Sequence, residues 1–251
     1  MTTTNTVPLQ RDPELLGQTV VVIGGSAGIG FETARRARGE GANVIITGRN
    51  PQRLQDAGQE LEAHSTAAFD ANDPDALASF FDALPSALDH VMVTAGGPHY
   101  GRMLDMSRDQ ARVAISDSML VALDVARHTA GRVRPGGTLL LMSGTGGRRI
   151  GIGLGIASAV TAAMPALTAS LALELAPVRV NLIAPGFVDT GLSASILGDG
   201  LDARRAELRA TLPIGRVVGP EDVAALAVHL MTNTALTGAT YDIDGGQQFL
   251  S

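Results

Sequence analysis

Short apolar runs alternate with longer amphipathic stretches along most of the chain. The runs are rich in β-branched residues and almost continuously apolar, which is typical of strands buried on both faces of a parallel sheet. We predict strands at Thr19–Ile23, Asn43–Thr47, His90–Thr94, Thr138–Met142 and Val178–Ile183. We predict helices between them at Gly28–Glu40, Pro51–Ala63, Pro74–Leu84, Arg108–Arg134 (as one helix or two) and Gly155–Leu175.

The repeated order of strand and helix indicates right-handed βαβ units. Such units build an α/β fold, a doubly wound parallel sheet with helices on both faces. No sequence repeat, low-complexity tract or linker divides the chain. We therefore predict a leader at residues 1–18 and a single domain at residues 19–251.

Composition excludes several classes of protein. The 251 residues are 45% hydrophobic, which is enough for a core and too apolar for a disordered chain. Zero cysteine excludes disulfides and thiolate chemistry, and a net charge of −6 gives no reason to expect nucleic acid. No apolar run approaches the roughly 20 residues that span a bilayer. Because residues 1–18 also lack the apolar stretch of a secretory signal, we expect a cytoplasmic protein without a membrane partner.

A glycine-rich turn follows the first strand and opens the first helix. Gly24 permits the tight turn, Gly28 lets the backbone approach a pyrophosphate, and Gly30 lets helix and strand pack closely. Its position within a βαβ unit favours dinucleotide binding over an ordinary loop. The cofactor contacts predicted from this turn are Gly24, Ser26, Ala27, Gly28, Ile29 and Gly30.

The end of the second strand indicates which cofactor binds. NAD-binding proteins place an acid there for the ribose diol, but this chain has Arg49 followed by Asn50, and no carboxylate occurs between Gly41 and Gln55. A guanidinium can make two charge-assisted bonds to a 2′-phosphate; the alternative is a solvated loop arginine. We predict NADP(H) rather than NAD(H). Arg49 is nearly the sole basis for this choice, because Ala27 adds no second positive charge.

From about Leu16 to Gln248 the chain resembles the short-chain dehydrogenase/reductase family. The glycine turn is similar to the family's TGxxxGxG with Ile23 for the threonine, and Thr94-Ala95-Gly96-Gly97 resembles the NAG segment with threonine for asparagine. The segment Asn181–Gly186 matches the one that flanks the nicotinamide. The resemblance implies a Rossmann-like sheet of about seven strands, a substrate lid at about 187–210 and a homodimer or homotetramer. The further cofactor contacts that it implies are Asp70, Ala71, Ala95, Gly96, Gly97, Pro185, Gly186, Val188 and Thr190.

The family's catalytic residues are largely replaced. Members reduce a carbonyl with a serine, a tyrosine and lysine in YxxxK, and an asparagine. Ser143 ends the fifth strand at the serine's place, as a carbonyl anchor, but about 13 residues later Ile156 and then Val160 occupy the tyrosine and lysine places. The chain contains no lysine, so no other register restores the motif. The asparagine is missing too, with Ser116 or Ser118 near its place.

Two residues after the fourth strand could supply the missing proton donor. Parallel sheets gather their ligands on such loops, His99 could act as an acid near neutral pH, and Tyr100 could donate a hydrogen bond. The alternative is that both are exposed loop residues. Arg148 and Arg149 could bind an anion or lie in solvent, and Tyr241 is expected to be structural. The remaining histidines show no metal-ligand spacing: His64, His90, His128 and His229.

Two functional hypotheses follow. The first is an NADP(H)-dependent oxidoreductase with an atypical active site, without a metal, which transfers hydride to or from a small carbonyl or quinone-like substrate. The alternative is a noncatalytic NADP(H)-binding sensor or an inactive partner subunit. Isomerisation or dehydration on the same fold also remains open, because fold does not determine function.

Overall fold

A sheet of seven parallel strands forms the centre of the computed structural model, which describes residues 13–148 and 150–250. The strands are β1 (Thr19–Ile23), β2 (Asn43–Gly48), β3 (Ser65–Ala68), β4 (Leu88–Val93), β5 (Val133–Met142), β6 (Arg179–Pro185) and β7 (Thr240–Ile243). Their order across the sheet is β3-β2-β1-β4-β5-β6-β7, which confirms the predicted doubly wound sheet. The direction of winding reverses between β1 and β4, and parallel sheets bind ligands at such a point.

Helices cover both faces of this sheet. They are α1 (Gly28–Gly39), α2 (Pro51–Glu60), α3 (Pro74–Ala83), α4 (Arg108–Ile115), α5 (Val121–Thr129), α6 (Gly155–Glu174), α7 (Gly191–Leu197), α8 (Leu201–Thr211) and α9 (Pro220–Thr232). Because side chains alternate along a strand, Val20 and Val22 of β1 pack in one core cluster while Val21 and Ile23 pack in the other. Each cluster buries one face of the sheet against helices.

The predicted helix Arg108–Arg134 differs most from the structure. A π-helical turn at Ser116–Leu120 separates α4 from α5, and α5 ends at Thr129. Gly131 adopts a φ of +73°, which ends the helix, and β5 then begins at Val133, five residues before the predicted Thr138. The end of the predicted leader packs on the domain, since the Leu15 side chain is buried in the core.

Helix α6 corrects one expectation about the membrane. By length and composition it could cross a bilayer, with 20 residues and a mean hydropathy of 1.7, whereas no such segment was expected. Its polar positions are mostly serine and threonine, which interrupt the apolar run but lower the mean hydropathy little. The helix packs Met164, Leu171 and Ala172 into the core beside the sheet, and 28% of its most apolar window is buried.

Candidate functional site

A cavity of about 650 Å³ opens at the carboxyl ends of the central strands, where the winding reverses. Its wall includes the ends of β4 and β5, the loops that follow β4, β5 and β6, and the first turns of α6. The structure brings many of the sequence-predicted residues together in this wall. They are Ile29, Ala95, Gly96, Gly97, His99, Tyr100, Ser118, Ser143, Ile156, Val160, Pro185, Gly186, Val188 and Thr190.

The glycine turn beside this cavity has the form of an anion site. A Cβ on Gly24, whose φ is +96°, would lie 2.7 Å from the backbone nitrogen of Ala95, and a Cβ on Gly30 would overlap the carbonyl oxygen of Gly24. At Gly28 a Cβ would meet only Thr190, at 3.5 Å. Two glycines are therefore required by packing, whereas Gly28 leaves open space that a bound group can enter.

The start of α1 leaves backbone donors available. Ala27 at its N-cap has no side-chain oxygen to accept a hydrogen bond, and the first turn contains no acid. The first N–H groups of a helix lack intrahelical acceptors and carry the positive end of the helix dipole. These residues therefore fit the pyrophosphate of a dinucleotide.

Hydrogen bonds from Thr94 link the end of β4 to this turn. Its hydroxyl lies 3.0 Å from the carbonyl oxygen of Gly24 and 3.2 Å from that of Ile23. On the other side, the Gly24 N–H donates to the Thr47 hydroxyl over 3.3 Å. A threonine thus holds the turn at the position where the short-chain dehydrogenase/reductase family, which the chain resembles, has asparagine.

The residues predicted to bind the adenosine half lie outside the cavity wall. Arg49 is exposed directly after β2, and no described residue accepts a hydrogen bond from its guanidinium. The Asn50 side chain caps α2 by accepting from the Arg53 N–H over 2.9 Å, so its oxygen is already engaged. Asp70 is exposed and accepts from the backbone of the residue two positions on, while Ala71 is buried. Sequence reasoning missed Arg53, an exposed cation on the first turn of α2.

Ser143 presents an unpartnered hydroxyl at the cavity. Its Oγ is buried, and no described residue makes a hydrogen bond to it. Ile156 and Val160 stand one helical turn apart at the start of α6 and add an apolar wall. A buried hydroxyl without a partner is costly, and the carbonyl oxygen of a bound ligand would relieve that cost.

His99 and Asp117 form a hydrogen-bonded pair in the same wall. The Nε2 atom of His99 lies 2.6 Å from the Oδ2 atom of Asp117, and both side chains are largely shielded from solvent. Sequence reasoning missed Asp117 and considered its neighbours Ser116 and Ser118, of which only Ser118 lines the cavity. For Asp117, the only signal in the sequence was an acidic residue within a helical stretch that is otherwise amphipathic.

Tyr100 contributes a second hydroxyl to the cavity wall. Its side chain is about half exposed, at 54%. The partial burial raises the pKa of the Tyr100 phenol. The group therefore stays protonated near neutral pH and can donate a hydrogen bond but not act as a base.

The predicted lid at 187–210 contains α7 and most of α8. Leu192 and Ile196 of α7 line the cavity with apolar side chains. Arg205 of α8 binds Asp189 through two hydrogen bonds of 2.9 and 2.8 Å. This bidentate pair links α8 to the start of the same predicted lid, on the segment that follows β6.

The other predicted ionisable residues serve the fold. Arg148 pairs with Asp242 and is not in the cavity wall, and Arg149 lies outside the described residues. Tyr241 lies in β7, in register with Ile183 of β6. His90 hydrogen-bonds Thr138 and Gln18, and burial lowers its pKa to about 4.

The remaining histidines are dispersed. His128 stacks on Phe81 with ring centroids 5.1 Å apart, and His229 lies 3.3 Å from the Asn233 amide at the end of α9. His64 is exposed just before β3. Within residues 13–148 and 150–250, no group of three or more His, Asp or Glu side chains is arranged to hold a metal ion.

Comparison with known proteins gives consistent matches over nearly the whole chain. A family model described as enoyl-(acyl carrier protein) reductase matches residues 24–248. A short-chain dehydrogenase/reductase of Stachybotrys chlorohalonatus is 32% identical over 93% of this chain and 98% of its own length. A 3-oxoacyl-[acyl-carrier-protein] reductase of Chlamydia pneumoniae is 32% identical over 94% of this chain and 98% of its own. The crystal structure of a small-chain dehydrogenase in complex with NADPH aligns with a TM-score of 0.81 at 30% identity, covering 93% of this chain and 100% of that one.

Proposed function

Because the chain belongs to the short-chain dehydrogenase/reductase family, we propose that it is an NADPH-dependent oxidoreductase with an atypical active site. The observation that carries the proposal is the combination of an intact glycine turn with the buried, unpartnered Ser143 hydroxyl in the cavity beside that turn. The first feature fits a dinucleotide, and the second fits the oxygen of a carbonyl substrate. The apolar pair Ile156 and Val160 makes the site atypical.

The choice of NADPH over NADH rests on Arg49. Its guanidinium is exposed at the end of β2 and has no acidic neighbour within the sequence Gly41 to Gln55. A free guanidinium matches a 2′-phosphate, and a nearby acid, which would repel that phosphate, is missing. The NADPH complex of the similar small-chain dehydrogenase supports the same choice.

The side chains around the cavity restrict the reaction. NADPH, when bound, supplies a hydride. Ser143 Oγ donates a hydrogen bond to the substrate oxygen, while Ile156 and Val160 exclude water and can neither donate a proton nor bind a ribose hydroxyl. Loss of general acid catalysis lowers the reaction rate by about 10²–10⁴-fold. We therefore expect an acceptor that does not require a proton from either of these two positions, such as a quinone or an activated diketone.

A binding and turnover assay tests the proposal. NADPH fluorescence is followed as the protein is added, and its absorbance is then followed with a panel of quinones and diketones. Saturable binding followed by oxidation supports the proposal. Binding without oxidation by any acceptor contradicts the enzymatic part, and absence of binding overturns the cofactor assignment as well.

A noncatalytic NADPH-binding module is the second candidate function. The observation that favours it is the simultaneous replacement of the family's tyrosine and lysine by Ile156 and Val160. The double variant Ile156→Tyr with Val160→Lys separates the two candidates. Carbonyl reduction that arises only in the double variant indicates a degenerate reductase. Loss of an activity that the natural protein possesses indicates that the apolar wall itself is functional.

We also propose a homo-oligomer. Exposed small or apolar side chains recur at helical spacing along one face of α6, which leaves an apolar stripe in the single chain. The stripe consists of Ala159, Ala162, Ala166, Ala169 and Leu173. Light scattering of the natural protein and of Ala166→Arg tests the proposal, because a charge in the middle of a close interface reduces the measured mass toward that of one chain.

A further inference from the structure

We propose that Asp117 positions His99 as the proton donor of this site, so that the His99–Asp117 pair replaces the tyrosine and lysine that the chain lacks. The inference rests on the proposed function, and it chooses between His99 and Tyr100. Neither the glycine turn nor Ser143 requires the pair. It therefore adds a separate element to the reaction.

The hydrogen bond between the two side chains determines which ring nitrogen is left to react. An ionised carboxylate only accepts hydrogen bonds, so the 2.6 Å contact places a proton on Nε2 of His99. No described residue makes a hydrogen bond to Nδ1 of His99. Nδ1 is then the atom that can gain a proton from solvent and donate it to a ligand in the cavity.

The backbone holds Asp117 against the loop that carries His99. The carbonyl oxygen of Asp117 packs against Gly96, where a Cβ would lie only 2.8 Å away, and Gly96 has a φ of +102°. Asp117 belongs to the π-helical turn between α4 and α5, and such turns are frequent at functional sites. The π-helical turn and the loop that carries His99 are thus in contact both through the backbone and through the hydrogen bond between His99 and Asp117, which limits the orientations of the imidazole ring.

The other ionisable groups of the cavity wall do not compete for this role. Among the described residues they are Tyr100 and Arg204. Burial raises the pKa of Tyr100, so that it does not ionise near neutral pH. Arg204 pairs with Glu207 over 2.7 Å and cannot lose its proton in this range. Among these side chains, the His99 imidazole is therefore the one with a ring nitrogen that can both accept and donate a proton.

The proton step balances with the hydride supplied by NADPH. The substrate carbonyl carbon gains hydride with its two electrons, and the π pair of the carbonyl moves onto oxygen. That oxygen takes the Nδ1 proton of the His99 imidazolium and becomes a hydroxyl. His99 is left neutral and is protonated again by water at the mouth of the cavity, while Asp117 stays ionised throughout.

Three variants test the inference in turnover. We expect His99→Gln to lower kcat by about 10²-fold or more, and Asp117→Asn to lower it by at least about 10-fold, with NADPH affinity changed by less than about twofold in both. His64→Gln is the matched control, because it makes the same substitution at an exposed histidine outside the cavity wall, and it should keep kcat within about threefold. The dependence of kcat/KM on pH is measured in the natural protein, in His64→Gln and in His99→Gln. The profile of His99→Gln should differ from the other two, which should agree with each other.

A spectroscopic measurement separates positioning from support of the fold. Histidine nitrogen NMR of the protein without substrate should show His99 with its proton on Nε2, and Asp117→Asn should lose that preference while the thermal unfolding temperature stays unchanged. Unchanged kcat and pH profiles in both variants, with NADPH still oxidised, overturn this inference alone. Absence of NADPH oxidation by the natural protein overturns the proposed function and this inference together.

Discussion

Replacement of Arg49 by alanine tests the cofactor assignment at a single side chain. The guanidinium is exposed and has no acidic partner in the segment around it, so it breaks no ion pair when a phosphate binds. The substitution removes charge and hydrogen-bonding capacity without opening a cavity in the core. Its effect on binding therefore reports the interaction with the 2′-phosphate.

The expected magnitude follows from the exposure of the side chain. A hydrogen bond to a charged group contributes about 1.5–3 kcal/mol. Because Arg49 lies in solvent, we expect the two bonds of one guanidinium together to contribute an amount within this range and not its double. The dissociation constant of NADPH should then rise by about 10- to 100-fold, since 1.4 kcal/mol corresponds to about tenfold.

Fluorescence titration with both cofactors measures this effect. The NADH dissociation constant should change by less than about threefold, because NADH carries no phosphate at the position that Arg49 reads. Added salt should weaken NADPH binding in the natural protein more than in Arg49→Ala. Arg127→Ala is the matched control, because it removes another exposed arginine, one paired with Asp124 on α5.

Two results would refute the reasoning. An equal loss of affinity for NADPH and NADH would show that Arg49 supports the fold of the adenosine side and does not select the phosphate. An unchanged NADPH affinity would show that the arginine is a solvated loop residue. Either result would remove the main support for NADPH over NADH.

Three further predictions concern stability and are checked by urea denaturation. Arg179→Met should lower the free energy of unfolding by about 3 kcal/mol or more, because the buried guanidinium donates to carbonyl oxygens at the end of α9 at distances from 2.7 Å. Burial lowers the pKa of His90 to about 4 in the folded chain. As the pH falls, the unfolded chain therefore takes up a proton on His90 before the folded chain does. The free energy of unfolding of the natural protein should thus fall by about 3 kcal/mol, through protonation of His90, as the pH drops from about 6.5 to 4. His90→Gln should lose that dependence on pH. Gly30→Ala should destabilise the fold, because its Cβ would overlap the Gly24 carbonyl, whereas Gly39→Ala in the same helix should stabilise it by about 0.5–1 kcal/mol.

Each of these predictions has a contrary outcome. A stable Arg179→Met protein would mean that water can reach and satisfy the carbonyl groups at the end of α9. A pH dependence that persists in His90→Gln would assign it to other groups, such as Asp222, whose pKa is lowered by the Arg216 guanidinium and whose contribution is lost only in more acidic solution. Equal effects of the two alanine substitutions in α1 would contradict the close approach at the glycine turn.

The sheet and the glycine turn could be predicted because their signals are local. Thr19–Ile23 is bounded as predicted, since five consecutive strand-forming residues followed by a glycine turn leave little freedom. The predicted α6 also agrees to within one residue at its end. The predicted helix over Arg108–Arg134 was wrong at its end, because a glycine with positive φ and an early strand were less evident than the apolar periodicity that precedes them.

Composition alone determined that the chain has no lysine, and hence that a YxxxK motif is impossible in any fold it adopts. Only the tertiary structure decided that His99 and Asp117 lie against each other in the cavity wall. His99 and Asp117 are separated by 18 positions, and nothing local links them. They pair because a π-helical turn brings the Asp117 backbone onto Gly96, in the loop that also carries His99. Periodicity reports which face of an element is buried, whereas the contact between a loop and a helical turn depends on how whole elements pack.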